Sequence, residues 1–373
     1  MSRFLNERYR AMKAYTPGEQ SRDMQYIKLN TNESPYPPAP SVAAAMNGEQ
    51  VALLRLYSDP TAKELKEKLA GLYGVKPENV FVSNSSDEVL NFAFMAFGGR
   101  GVAFPDISYG FYSVFAELHG IPAEIIPLEE DFTLNYRKYC GKNKLVVIAN
   151  PNAPTGMTIP LHQIEQILRT NSDCLVVIDE AYVDFGGKSA LPLIGKYENL
   201  LVVRTFSKSR CLAGGRLGYA FASPEVIADL EKIKYSTNPY NINRLTLLLG
   251  EATVEAEDYY KARCRNIMET REWTAAQLKT LGFTVLPSKA NFLFAKTDKM
   301  DGLELYQTLK TKGILVRHFT SPRICQFVWF HKQRPQKFCG KNASIMQKNS
   351  LLTCKNLIQY VEQQSVGKGK HPN

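Results

Sequence analysis

Lys208 stands in Arg204-Thr-Phe-Ser-Lys-Ser-Arg-Cys-Leu-Ala-Gly-Gly-Arg216-Leu-Gly218, a loop that follows an apolar run and sets one lysine among hydroxyls and small residues. A lysine on a constrained, desolvated loop has a lowered pKa. Its neutral amine can then form a Schiff base with a carbonyl and afterwards shuttle protons. Ser207 and Arg216 suit a phosphate, the arginine as a charge-assisted fork. Gly214, Gly215 and Gly218 would let the backbone approach a ligand closely. A basic surface loop would carry the same string.

Leu175-Val-Val-Ile-Asp179-Glu-Ala-Tyr182 reads as a buried strand ending in an acid. Facing the pyridine nitrogen of a cofactor, the Asp179 carboxylate would keep that nitrogen protonated and make the ring an electron sink. Tyr182 could reach the phenolic oxygen of such a ring. A structural aspartate capping the next element fits the same residues. Val82-Ser-Asn-Ser-Ser-Asp-Glu88, followed by Val89-Leu-Asn-Phe92, reads as strand, tight polar turn and helix. A helix N-terminus with free amides and the Ser86 hydroxyl is a ready phosphate site, although caps of this composition are common. Asn150-Pro-Asn-Ala-Pro-Thr-Gly156 would aim an amide side chain at a ligand, and Tyr109 in Ser108-Tyr-Gly-Phe-Tyr112 could stack on a flat ring. A plain proline turn and a core aromatic are the alternatives.

These segments follow short apolar runs at residues 80–82, 101–104, 145–149, 175–178 and 200–203. Runs without polar alternation suit strands buried on both faces of a largely parallel sheet, where ligands bind beyond the carboxyl ends. Ahead of them, six residues at Pro17, Gly18, Pro35, Pro37, Pro38 and Pro40 make an extended arm. A helix follows, with Thr61 as cap, Glu64 three residues on, a stripe of Leu65, Leu69 and Leu72, and Gly74 as its stop. Past residue 255 a long polar helix (259–281), strands at 292–295 and 314–317, and a helix at 303–310 suggest a second unit. The expected class is α/β: an arm over residues 1–40, a large, mainly parallel-sheet α/β/α domain over 41–255, and a smaller α+β domain over 256–373.

Composition excludes several alternatives. With 373 residues and 44% hydrophobic content, the chain can bury a large core. It has no apolar run near the ~18 residues of a membrane span. Residues 1–15 lack the apolar stretch of a signal peptide, which points to the cytoplasm. The seven cysteines are dispersed with no CxxC pair, and the five histidines lack ligand spacing, so neither a disulfide framework nor a metal is expected. The net charge of +10 sits largely in the tail, where Lys332, Arg334, Lys337, Lys341, Lys348, Lys355, Lys368 and Lys370 face only Glu362. Basic residues so placed do not form a nucleic-acid stripe.

Taken in this order, the strings resemble the fold-type I pyridoxal-phosphate (PLP) enzymes, and more narrowly the histidinol-phosphate aminotransferases. Ala14-Tyr-Thr-Pro-Gly-Glu-Gln20 and Lys28-Leu-Asn-Thr-Asn-Glu-Ser-Pro-Tyr36 resemble that family's N-terminal signature, and Tyr57-Ser-Asp-Pro60 its usual Tyr-Pro-Asp-Pro. The resemblance runs from about residue 5 to Ile324. It implies PLP as cofactor, with Lys208 as Schiff-base lysine and acid–base catalyst, Asp179 on the pyridinium, Tyr182 on the phenolic oxygen and Tyr109 stacked on the ring. It implies Ser86, the amide of Asp87, Ser207 and Arg216 on the phosphate. Tyr57 would reach the phosphate of a neighbouring subunit, in a homodimer with shared sites. Tyr15, Glu33 and Arg317 match substrate-pocket positions. The implied reaction moves an amino group between L-histidinol phosphate and 2-oxoglutarate, giving glutamate. A threonine-phosphate decarboxylase or an aromatic aminotransferase is the nearest alternative, and an inactive or damaged homologue is the other.

Three departures stand out. Ser85 occupies a usual glycine. Ala153 occupies the place of an asparagine on the phenolic oxygen, with Asn152 as its substitute. After Ser321-Pro-Arg-Ile324 the family continues as Leu-Arg-Ile-Thr, whose arginine binds the substrate's anionic end. Here Phe327-Val-Trp-Phe-His-Lys-Gln-Arg-Pro335 follows, with Trp329 near that arginine's place, and no clear helical stripe returns before residues 351–361. This predicts a coding frame that diverges near residues 325–330, which resequencing the gene would test. Otherwise the substrate's anion is left with Arg323 and Arg334 as candidates.

Overall fold

The computed structural model describes residues 2–20, 24, 26–320, 324 and 327–330. The arm contributes one short strand, β1 (Ile27–Lys28). Helices α1 (Pro40–Ala45) and α2 (Gly48–Ala52) lead to α3 (Lys63–Tyr73). Strand and helix then alternate: β2 (Val80–Ser83), α4 (Ser85–Phe97), β3 (Val102–Pro105), α5 (Phe111–His119), β4 (Ala123–Ile126), β5 (Leu145–Ala149) and α6 (Leu161–Thr170). Next come β6 (Val176–Asp179), β7 (Leu200–Thr205), β8 (Gly218–Phe221), α7 (Pro224–Thr237) and α8 (Arg244–Glu255). The last stretch holds α9 (Glu257–Thr280), β9 (Thr284–Val285), β10 (Leu293–Lys296), α10 (Gly302–Thr311), β11 (Ile314–Leu315), β12 (Arg317–His318) and β13 (Phe327–Phe330).

Seven strands form the main sheet in the order β2-β8-β7-β6-β5-β3-β4. All pairs are parallel except those of β8, which runs antiparallel to both β2 and β7. Every residue of β2, β3, β5, β6, β7 and β8 is buried. That accounts for their unbroken apolar runs: helices cover both faces, and each Val or Leu so buried contributes about 1.5–3 kcal/mol. The α/β expectation holds. A four-stranded sheet, β12-β13-β10-β9, and the β1–β11 pair make up the rest. The parallel β1–β11 pairing ties the arm to the C-terminal part of the described chain.

The structure also departs from the sequence reading. Thr61 does not cap α3. Asp59 accepts from the backbone nitrogens of Thr61 and Lys63, each at 2.9 Å, because its carboxylate has two oxygens within reach of the turn. Gly74 does end the helix, at φ +67°. Strand β4 escapes the sequence reading because it is a partly exposed edge strand, and β8 because its glycine reads as loop. The single strand expected at 314–317 divides into β11 and β12, which belong to different sheets. The helical stripe expected at 351–361 and the basic tail lie outside the described residues. Among the described residues, no helix is long and apolar enough to cross a membrane.

Candidate active site

Parallel pairing aligns the carboxyl ends of the central strands: Ala149 of β5 is opposite Asp179 of β6, which is opposite Val203 of β7. Beyond them opens a cleft of about 350 Å³. Its walls bring together nine of the residues singled out above: Glu33, Ser86, Asp87, Tyr109, Asp179, Tyr182, Ser207, Lys208 and Arg216. Side chains from positions 33 to 216 converge there because each follows a strand end or belongs to the arm that crosses those ends.

Lys208 is half-buried, and its Nζ donates to the carbonyl of Thr31 at 3.3 Å and lies 5.8 Å from the centre of the Tyr182 ring. Burial pushes its amine down to about 8, against the opposing pull of Asp87 and Glu33 and with the help of Arg216. The loop that carries it is pinned from both sides. Before it, Arg204 pairs with the buried Glu180 at 2.9 Å and with Asp184 at 3.6 Å. After it, Ser209 donates to Asp184 and Arg210 pairs with Glu257. A buried ion-pair network is weak evidence for net stability, but each partner left alone would be a costly buried charge, so the arrangement specifies one conformation.

Asp179, only 6% exposed, accepts from the Tyr112 hydroxyl at 2.8 Å and from the Ala181 amide at 3.1 Å. Burial raises its carboxyl to about 6, and those two donors limit the rise. The Tyr182 hydroxyl oxygen accepts from Asn32 Nδ2 at 3.0 Å. Burial raises the Tyr182 phenol, so it remains a proton donor at neutral pH.

Helix α4 is also on the cleft wall, through Ser86 and Asp87, and starts with no side-chain cap on its N-terminus. The amides of its first turn, at Ser86 and Asp87, therefore remain available to an anion. Ser85 bends the chain into this turn at φ +74°, a left-handed conformation that glycine adopts more readily than a residue with a β-carbon. The Asp87 carboxylate accepts from Tyr109 at 2.7 Å and from Arg216 at 2.9 Å.

Four singled-out residues lie outside the lining of the cleft. Asn152 is committed to its own loop: its Nδ2 donates to the Ile107 carbonyl and to the Thr155 hydroxyl, and its Oδ1 accepts from the Ser108 hydroxyl. Asn150 holds the same loop through both Ile159 backbone groups, while Ala153 lines the cleft. Tyr15 packs on Phe111, ring centres 4.3 Å apart. Arg317 sits on β12 beside Gly18 of the arm. Tyr57 is 78% exposed and stacks on Tyr240 at 4.4 Å. Trp329 lies on β13, in register with Phe294 and Arg317; Arg323 and Arg334 fall outside the described residues. Sequence reasoning missed Asn32 and Tyr112 as site residues. Both sit inside strings it had quoted, but only the tertiary contacts with Tyr182 and Asp179 reveal them.

A cleft at the carboxyl ends of a mainly parallel sheet, with a lysine amine, a buried acid and an anion-binding helix start, defines the fold-type I PLP-dependent transferases. The chain belongs to the aminotransferase class I and II family, whose model matches residues 24–332. Histidinol-phosphate aminotransferases from Brachyspira hyodysenteriae and Clostridium acetobutylicum are each 47% identical to it, over 88% of this chain and 94% of theirs. A solved histidinol-phosphate aminotransferase from Sinorhizobium meliloti, in complex with pyridoxal-5'-phosphate, has the same fold, with a TM-score of 0.76 at 24% identity over 89% of this chain and 92% of that one. PLP is the cofactor of this family, and the residues present fit it: an uncapped helix start and Arg216 for a phosphate, a buried carboxylate for a ring nitrogen, and a lysine amine for an aldehyde.

Proposed function

We propose that the protein is a PLP-dependent histidinol-phosphate aminotransferase, exchanging an amino group between L-histidinol phosphate and 2-oxoglutarate. The observation that carries the chemistry is the Lys208 amine, held at about 8 in one cleft with Asp179, Tyr182 and the uncapped start of α4. The identity with the two aminotransferases favours histidinol phosphate over the decarboxylase and aromatic-substrate alternatives.

When bound, PLP supplies an aldehyde for the amine and a ring that withdraws electrons from the reacting carbon. Ser86, the amide of Asp87, Ser207 and Arg216 bind its phosphate. The Asp179 carboxylate holds the proton on the ring nitrogen, and Tyr109 stacks on the ring. The Tyr182 oxygen already accepts from Asn32, so its own proton is free to serve the phenolic oxygen. With the cofactor bound, Lys208 in its neutral form would take the proton from the substrate's reacting carbon and hold it on Nζ for return. Asn152, being committed to Ile107, Ser108 and Thr155, supports the loop under Ala153 and would have to leave these partners to touch the cofactor. Tyr15, Glu33 and Arg317 belong to the substrate side; Glu33 is held by Lys28 at 2.8 Å.

The reading includes a homodimer in which Tyr57 completes the partner's phosphate site, with a cytoplasmic location. An exposed Tyr57 beside exposed Val51, Leu54 and Leu56 supports it. It also includes the division into an arm (1–40), a large domain (41–255) and a small domain (256–373). The test is the absorbance of the PLP-loaded protein before and after histidinol phosphate, without keto acid. Passage of the cofactor from its aldehyde band to its amine band is the expected result. A cofactor that binds but ignores histidinol phosphate would overturn the substrate assignment.

A further inference from the structure

Tyr112 has no role in the reaction as derived so far, yet its hydroxyl ends on the atom that matters most to the ring. It lies on α5, fully buried, its ring in edge contact with Phe104 at 5.9 Å and with Tyr109 at 5.7 Å. Its hydroxyl donates to Asp179 Oδ2 at 2.8 Å, while the amide of Ala181 takes Oδ1. Both carboxylate oxygens thus carry a protein donor, and the plane of the carboxylate is fixed from two elements, α5 and the turn after β6.

We propose that Tyr112 is a positioning residue for the cofactor ring: its hydrogen bond orients Asp179 and keeps it ionised to face the ring nitrogen. This rests on the PLP reading of the cleft. The other charged and titratable groups that face Asp179 are Asp87 on α4, which opposes its ionisation, and Lys208 after β7, which favours it, with the neutral Tyr182 phenol beside it. Burial works against the carboxylate, so a donor to its charged form is what tips the balance. The Tyr112 hydroxyl bonds a charged carboxylate about twice as strongly as a neutral carboxyl, so its hydrogen bond favours the ionised form. Removing it leaves a buried carboxylate short of one donor.

The experiment measures PLP dissociation constants for the wild type and Tyr112→Phe by cofactor absorbance, from about pH 5.5 to about pH 8.5. Phenylalanine keeps the ring and its edge contacts, and a thermal melt of each variant reports folding. The variant is expected to bind about tenfold or more weakly near pH 6, with the deficit shrinking as pH rises and Asp179 ionises regardless. In an Asp179→Asn background, Tyr112→Phe should add no pH-dependent loss. A deficit of constant size at every pH, or none, would overturn the proposal, since a packing role alone does not titrate. If Asp179→Asn by itself leaves PLP affinity unchanged, the assignment of Asp179 to the ring fails first, and the Tyr112 proposal with it.

Discussion

A methyl group placed on Gly218 would fall 2.2 Å from the backbone nitrogen of Ser86. The pairing of β8 explains the closeness: Gly218 is opposite Ser83 of β2 on one side and Thr205 of β7 on the other. One residue without a side chain therefore brings the helix-start turn and the lysine loop to the same place. Gly218→Ala should push the Ser85–Ser86 turn away, destabilising the protein by about 1–3 kcal/mol and weakening PLP binding in step. Urea unfolding and a cofactor titration of the same preparation would show both effects. An alanine variant that binds PLP normally would mean the turn is not the phosphate site.

Ser85 holds a left-handed conformation at φ +74° with a β-carbon. Such a residue carries a strain of about 1–2 kcal/mol that glycine avoids, part of which glycine's greater unfolded-state freedom takes back. Ser85→Gly should raise the unfolding free energy by about 0.5–1 kcal/mol, measured by denaturant melts. It should leave the cofactor dissociation constant within about twofold, because the amides of Ser86 and Asp87 stay in place. A loss of stability would show that the serine hydroxyl does more than tolerate the turn.

Burial holds the Lys208 amine at about 8, against an ordinary 10.5. Attachment of PLP to the apoprotein requires the neutral amine. Its rate should climb about tenfold per pH unit below that value and level off above it. The same shift acts on stability. Between about 8 and 10.5 the unfolded chain binds more protons at this site than the folded one. The contribution is therefore present above 10.5 and is lost as pH falls through about 8. Stopped-flow absorbance from about pH 6 to about pH 9, spanning both the climb and the plateau, checks the first statement. Comparison of apo wild type with Lys208→Ala in pH-dependent unfolding checks the second, the variant lacking that slope.

Val51, Leu54, Leu56 and Tyr57 are exposed, and Tyr57 stacks on Tyr240. If these apolar side chains form the subunit contact of the proposed homodimer, Leu54→Lys should convert the dimer to a monomer, read as about half the mass by sedimentation. It should also weaken PLP binding about tenfold or more, if Tyr57 of one chain serves the phosphate of the other. A variant that remains dimeric would place the subunit contact elsewhere, and a monomer that binds PLP undiminished would remove Tyr57 from the site.

The chemistry of this protein was legible where it resides in local strings. Lys208 after one apolar strand, Asp179 at the end of another and Ser86 at a helix start can each be read from residue type and neighbours, because buried parallel strands leave unbroken apolar runs and helix starts leave small polar residues. At Phe327–Phe330, where the expected Leu-Arg-Ile-Thr is replaced, and from there to the stripe expected at 351–361, the sequence carried no pattern from which a local structure could be read.

What only the tertiary structure decided lies between strings. Asn32 reaches Tyr182 across 150 positions of chain, and Tyr112 reaches Asp179 across 67. Arg216 and Asp87 meet across 129, and Gly218 joins two strand ends by having no side chain. Sequence alone determined the class of fold, since that depends on residue type and periodicity along the chain, and its strings carried the family resemblance that implies the cofactor and a Schiff-base role for Lys208. The protonation of Asp179, the direction of the Tyr182 proton and the commitment of Asn152 to its own loop were decided by the fold. Burial and hydrogen-bond partners are properties of neighbours in space, and those are set only when the strands pair.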